Sequence, residues 1–290
     1  MSIKNVPSVG LGTFRLKGEA VKQAVIDAIN VGYRHIDTAA IYRNEVEIGS
    51  ALQEIYNKPC SNVRRSDLWI TSKLSPYDMK NPQAALLKSL TDLRTTYLDL
   101  YLIHWPAAAR KSASSPKNKM LRIEAWKVLN EAKRDGLVSR IGVSNFTPQH
   151  LNELMHETEF GIQGAFVQME IHPWYWRDAL KIQTVFAQQD IVLVGYALLG
   201  EGRLLQAGCS ENLTRIAGRL GVSRIQIVLA WALKKGWGVL VRSNDEDHLR
   251  QNFDAPKLVE ALTDQDYAAI DAITSLDSEQ KLCWDPRLVT

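Results

Sequence analysis

The stretch VGLGTFRLKGEAVKQAVIDAINVGYRHIDTA (residues 9–39) sets the pattern for the whole chain. A short apolar run, VGLGTF (9–14), gives way to a polar turn and then to EAVKQAVIDAINVG. There Ala20, Val21, Ala24, Val25, Ala28 and Ile29 recur at helical spacing and line one face. HIDTA (35–39) starts the same unit again, leading into a helix that carries Val46, Gly49, Leu52 and Ile55. LWITSKL (68–74) precedes NPQAALLKSLTDL, where Asn81 is expected as the N-cap and Pro82 suits the first helical position. YLDLYLIH (97–104) runs through a long polar loop into a helix around RIEAWKVLNEAKRDG, closed by Gly136.

The second half keeps the rhythm. SRIGVSN leads to TPQHLNELMHE, with Thr147 as cap and Pro148 behind it, and AFVQMEIH leads to DALKIQTVFAQQ. IVLVGYALLG precedes one longer helical region over 210–235, and GVLVRSN precedes DEDHLRQNF. No linker or composition break separates these eight strand–helix units, so 1–290 is expected to form one domain. Eight such units predict an α/β fold, a single (β/α)8 TIM barrel. The rival, an open doubly wound sheet, normally carries a Gly-rich turn after its first strand, and GLGTFRLKG is not GxGxxG. An extra C-terminal helix over 262–273 and the tail LCWDPRLVT lie outside the eight units.

Composition narrows the function classes. Thirty-five basic against 32 acidic side chains leave a net charge of +3, with no block of like charge to suggest nucleic acid or an anionic membrane as partner. Cys60, Cys209 and Cys283 are scattered and lack metal-ligand spacing, which speaks against a disulfide framework and a zinc site. The N-terminal MSIKNVPSVGLG lacks the apolar core of a signal peptide, and no apolar run is long enough to span a bilayer. A soluble cytoplasmic protein is expected.

In a barrel of this kind, reactive groups sit at the C-terminal ends of the strands or in the loops beyond them. Asp37 comes near the end of the second strand, Tyr42 in the loop after it, Lys73 near the end of the third, and His104 at the end of the fourth. Each has a bland alternative: Asp37 and Lys73 as a buried ion pair, His104 as a satisfied core histidine, Tyr42 as a packed loop tyrosine. Together they suggest proton chemistry. A tyrosine ordinarily titrates near 10, and a neighbouring ammonium held by an aspartate is expected to lower that value. A neutral histidine then donates a hydrogen bond to a carbonyl oxygen while the tyrosine supplies the proton. HETE (156–159) lacks the second histidine of a metalloprotease helix, and no metal site is expected.

GYRHIDTAAIYRNE, ITSKL, LDLYLIHWP, GVSNF and QMEIHP, in this order, resemble the signatures of the aldo-keto reductases, from about Gly10 to the C-terminal WDP. The resemblance implies a (β/α)8-barrel oxidoreductase that reduces a small-molecule aldehyde or ketone to an alcohol, reversibly, with NADPH. Asp37, Tyr42, Lys73 and His104 would be the catalytic tetrad, with Tyr42 the proton donor. Ser144, Asn145 and Gln168 match residues that bind the nicotinamide carboxamide, and Tyr196 matches the ring that stacks on the nicotinamide. Relatives resembling this chain are often monomers. The alternative is a nucleotide-binding, non-catalytic barrel protein of the same descent.

Departures from the family pattern are specific. RSNDEDHLRQN (242–252) resembles the segment that grips the adenosine 2′-phosphate and adenine, through Arg242, Ser243, Asn244, His248 and Asn252. Arg242 replaces a common lysine and His248 a common arginine, while Asp245, Glu246 and Asp247 add negative charge. If those acids point inward they repel a 2′-phosphate; if outward they favour the helix N-terminus. NADPH is expected, with NADH use left open. Only eight residues precede the first strand, so the N-terminal hairpin of relatives is expected to be abbreviated here. Phe14, Ser75 and Trp105 are expected in the substrate pocket, apolar and wide because Ser75 is small. The basic loop 107–119 is read as a solvated mobile rim.

Overall fold

The computed structural model describes residues 6–58, 62–206, 210–274 and 278–290, so Cys60 and Cys209 lie outside the described residues. Eight strands close a parallel barrel in chain order, β1 (Val9–Gly12), β2 (His35–Asp37), β3 (Trp69–Leu74), β4 (Leu98–Ile103), β5 (Val138–Ser144), β6 (Phe166–Glu170), β7 (Val192–Tyr196) and β8 (Gly238–Val241). β8 pairs back onto β1 through Val9 with Val239 and Leu11 with Val241, which completes the ring. The helices α1 (Gly18–Val31), α2 (Glu45–Asn57), α3 (Pro82–Asp92), α4 (Lys117–Arg134), α5 (Pro148–Glu157) and α6 (Arg177–Val185) each follow one strand. α7 (Glu211–Leu220) and α8 (Arg224–Lys234) both follow β7, α9 (Glu246–Asp254) follows β8, and α10 (Asp264–Asp271) is the extra helix.

Alternation along the strands divides the apolar residues between two cores. Trp69, Leu100, Leu102, Phe166, Val194 and Leu240 fill the barrel interior. A larger set, including Ile36, Ile70, Tyr101, Val143, Leu193 and Val239, packs outward against the helices. Among the described residues no strand precedes β1, and Val6 packs against the interior cluster.

Local chemistry explains most element ends, and corrects three expectations. Thr147 caps α5, accepting from the His150 amide, as its sequence predicts. Asn81 occupies the N-cap position of α3 but its side chain makes no capping bond; Pro82, which needs no amide partner, does the work of starting the helix. The region 210–235 is two helices, bent by 96°, because Gly221 at φ +66° closes α7 and Ser223 caps α8 afresh. No single helix among the described residues is long and apolar enough to cross a membrane. α4 begins five residues before Arg122, and buried Asn118 pins the preceding loop. Its Oδ1 accepts from the Ala108 amide at 3.2 Å, and its Nδ2 donates to the carbonyls of Ser112 (2.9 Å) and Ala113 (3.2 Å). The basic loop is stapled to the body rather than loose.

Gly49 marks the closest approach between α2 and the end of α3. A Cβ built there lies 2.4 Å from the Asp92 carbonyl oxygen and 2.9 Å from the Leu93 carbonyl carbon, both rigid backbone. Ala normally improves a helix interior by about 1 kcal/mol over Gly. At this position we expect the opposite sign: Gly49→Ala costs about 1–3 kcal/mol by overpacking, measured as a lower urea midpoint at unchanged slope.

Candidate active site

The three strands β2, β3 and β4 deliver their reactive groups to the C-terminal mouth of the barrel. Lys73, fully buried, donates from Nζ to Asp37 Oδ1 at 2.6 Å and to the Thr38 carbonyl at 2.7 Å. The second Asp37 oxygen accepts from Gln168 Nε2 at 2.8 Å, so one carboxylate joins β3 to β6 across the mouth. Neither the Gln168 link nor the role of Thr38 was legible in the sequence, because both depend on the ring being closed.

Tyr42 ends a single 3-10 turn, Ala40–Tyr42, closed by Arg43 in the left-handed region at φ 55°. Buried Asn44 holds that turn in place. Its Nδ2 donates to the carbonyls of Thr13 (3.0 Å) and Leu16 (2.9 Å), and its Oδ1 accepts from Thr38 Oγ1 at 2.7 Å. The Tyr42 ring thereby lies 5.2 Å from Lys73 Nζ, 5.6 Å from the His104 ring edge-on, and 5.0 Å from the Phe14 ring. All four proposed tetrad residues are brought together.

Their electrostatics differ from the expectation at one point. Burial pushes the Tyr42 phenol well above its ordinary value, and the Asp37 charge adds to this, the opposite direction to the one expected. Burial lowers the Lys73 ammonium, with Asp37 opposing. Burial, and then the Lys73 charge, hold His104 well below the usual imidazole range, so its ring is neutral. Its Nδ1 is buried without a partner among the described residues.

The residues expected to receive a nicotinamide cluster beside the tetrad, at the ends of β5, β6 and β7. Asn145, at φ 65°, donates from Nδ2 to the His104 carbonyl (3.0 Å) and to Ser144 Oγ (2.9 Å), and its Oδ1 accepts from Tyr196 Oη at 2.5 Å. Ser144 pairs with Gln168 across β5 and β6. Among the described residues this leaves the Ser144 hydroxyl hydrogen and Gln168 Oε1 uncommitted, one donor and one acceptor, which is what a carboxamide requires.

The second cofactor segment lies beyond β8. Arg242 is exposed and forms no ion pair among the described residues. The acids beside it are mostly engaged along the helix: Asp245 caps α9 through the His248 amide at 2.9 Å, and Glu246 pairs with Arg250. Ser243 Oγ accepts from the Asp245 amide at 3.0 Å, fixing the turn that contains exposed Asn244. His248 is exposed, 3.7 Å from Asp245. Asn252 is buried and its Oδ1 has no partner among the described residues.

Around the mouth, Trp105 stacks on His104 with centroids 6.1 Å apart. Ser75 is buried, its Oγ accepting from the Tyr77 amide at 3.1 Å, so its small side chain closes a turn as well as leaving room. Trp284, a residue of the C-terminal tail that the sequence reading did not single out, meets Trp105 edge-on at 4.7 Å. Arg15 and Glu201 form a 3.2 Å ion pair between the loops after β1 and β7, also unforeseen.

The aldo/keto reductase family model matches residues 8–275, nearly the whole chain. The chain belongs to the aldo/keto reductase family. An aldo/keto reductase of Synechocystis sp. is 37% identical over 92% of this chain and 85% of its own length. Methylglyoxal reductase DkgA of Escherichia coli is 34% identical over 97% of this chain and 93% of its own. Among solved structures, an aldo/keto reductase from Brucella melitensis superposes with a TM-score of 0.79 at 32% identity, covering 93% of this chain and 94% of that one. A mutant of Gox0644 in complex with NADPH superposes with a TM-score of 0.83 at 29% identity, covering 98% and 94%. This aldo-keto reductase is therefore an oxidoreductase with the family's closed barrel.

The buried pair makes a direct prediction. Lys73→Met leaves the Asp37 carboxylate buried with only neutral donors, and we expect a loss of about 3–5 kcal/mol in stability, read from urea denaturation. A loss below about 1 kcal/mol, the range of exposed pairs, would show that Asp37 does not need its partner.

Proposed function

We propose that this aldo-keto reductase reduces aldehydes and ketones to alcohols with NADPH, and that Tyr42 donates the proton. The observation that carries the reading is the convergence of Tyr42, Lys73, Asp37 and His104 at one mouth, beside an uncommitted amide-binding pair. Bound NADPH supplies a hydride to the carbonyl carbon. Ser144, Asn145 and Gln168 would hold its carboxamide, Tyr196 its nicotinamide face, and Arg242, Ser243, Asn244, His248 and Asn252 its far end.

The chain's own groups divide the remaining work. His104, neutral through burial, donates a hydrogen bond to the substrate oxygen and orients it without adding charge. Tyr42, like any phenol, holds its proton at neutral pH, and burial favours that acid form further. As the proton leaves Oη, the Lys73 ammonium faces the growing negative charge, held still by Asp37 and the Thr38 carbonyl. Phe14, Trp105 and Trp284 line the entrance with rings, which suits an apolar carbonyl compound. Relatives that carry the name methylglyoxal reductase make a small dicarbonyl the first substrate to try beside an aryl aldehyde.

Tyr42→Phe tests the proton donor. We expect NADPH binding to persist while turnover falls by roughly 10²–10⁴-fold, the usual worth of a general acid; wild-type turnover would remove Tyr42 from that role. Arg242→Ala tests the cofactor. A charge-assisted contact to the 2′-phosphate predicts that KM for NADPH rises roughly 10- to 100-fold while KM for NADH stays put. Equal effects on both cofactors would place Arg242 away from the 2′-phosphate.

A further inference from the structure

QMEIHP contributes Gln168 to the site, but it also contains Glu170, whose carboxylate is buried at the C-terminal end of β6 and has no part in proton transfer. All of its neighbours are donors. Oε1 accepts from the Leu282 amide at 2.6 Å, from His172 Nε2 at 3.0 Å and from the Cys283 amide at 3.2 Å. Oε2 accepts from the Cys283 amide at 3.1 Å and from Lys281 Nζ. Three of these four donor groups belong to the C-terminal tail, more than 100 residues away in sequence.

The rest of the β6 loop reinforces the hold. The Trp174 carbonyl accepts from the Gln280 amide at 3.0 Å, and Lys281 Nζ lies 4.7 Å from the Tyr175 ring centroid. Immediately after this anchored stretch the chain delivers Trp284 to Trp105, with nearly half of its surface still exposed. An edge-on ring pair adds little beyond its buried area, too little to order a tail by itself. Burial works to raise the Glu170 pKa, but the hydrogen bonds from His172, Lys281 and the tail amides outweigh it and hold the group at about 2. The anchor therefore stays charged throughout the neutral range.

We propose that Glu170 is a positioning residue for the substrate: it straps residues 281–283 to the barrel and so sets Trp284 against Trp105 as one wall of the pocket. The proposal rests on carbonyl reduction at this mouth. Its signature is selective. A substrate large enough to touch Trp284 depends on the strap, and one too small to reach it does not.

The test compares benzaldehyde with methylglyoxal in the wild type, Glu170→Gln, Trp284→Ala and the double variant. In Glu170→Gln an amide NH2 confronts donors, and we expect KM for benzaldehyde to rise about 10-fold with kcat within about 3-fold. KM for methylglyoxal and the dissociation constant of NADPH should stay within about 2-fold of wild type. Trp284→Ala should show the same pattern, and Glu170→Gln should add nothing in its background, since both act through one ring. Equal losses for both aldehydes, or a double variant equal to the product of the singles, overturn the proposal. Should Glu170→Gln fail to fold, Lys281→Met removes the charged tail contact from the other side and is read by the same criteria. A wild-type protein that oxidises NADPH with neither aldehyde overturns the reductase reading and this proposal together; turnover without the selective pattern overturns this proposal alone.

Discussion

The ion pair between Lys73 and Asp37 is the constraint around which the mouth of the barrel is arranged. An ammonium and a carboxylate removed from water each cost several kcal/mol, repaid only by close geometry and by satisfying their remaining hydrogen-bonding capacity. The structure meets both conditions with the Thr38 carbonyl on the lysine and the Gln168 amide on the aspartate. The pair sits on β2 and β3, and its partners come from the residue just after β2 and from β6, so the pair is well solvated by protein only when the ring of strands is closed. Barrel closure and the charge beside Tyr42 are in this sense one event.

Much of this was legible in the residues. The repeated switch from a short apolar run to a 3.6-residue periodicity gave the number and order of strands, because each strand must be buried on both faces and each helix on one. The same logic placed Asp37, Lys73 and His104 at strand ends, since ionisable groups in otherwise apolar strands need a polar mouth to face. What stayed hidden were relations across the ring. That Gln168 reaches Asp37, that Asn145 accepts from Tyr196, and that Trp284 meets Trp105 are consequences of closure, separated by 131, 51 and 179 positions along the chain.

Two misreadings have instructive causes. The longer helical region expected over 210–235 divides into two helices because Gly221, in the left-handed region, closes α7 through its amide to the Ala217 carbonyl, and Ser223, two residues on, supplies a new start. Hydrophobic period alone does not register either event. The lowered tyrosine was expected from the sign of its neighbour's charge; the structure raises it, because burial strips water from the phenolate and the Asp37 charge acts in the same direction. A neighbour's charge acts on a group only net of the solvent it displaces.

The shared carboxylate of Asp37 has a consequence for how this protein can change. One of its oxygens serves the lysine and the other the glutamine of the proposed nicotinamide seat, so a substitution at any of the three disturbs both functions at once. The far end is built otherwise: Arg242 is exposed and Asp245 and Glu246 are engaged within their own helix. A substitution at exposed Arg242 therefore disturbs little else in the structure, whereas one at Asp37 disturbs two bonded partners at once.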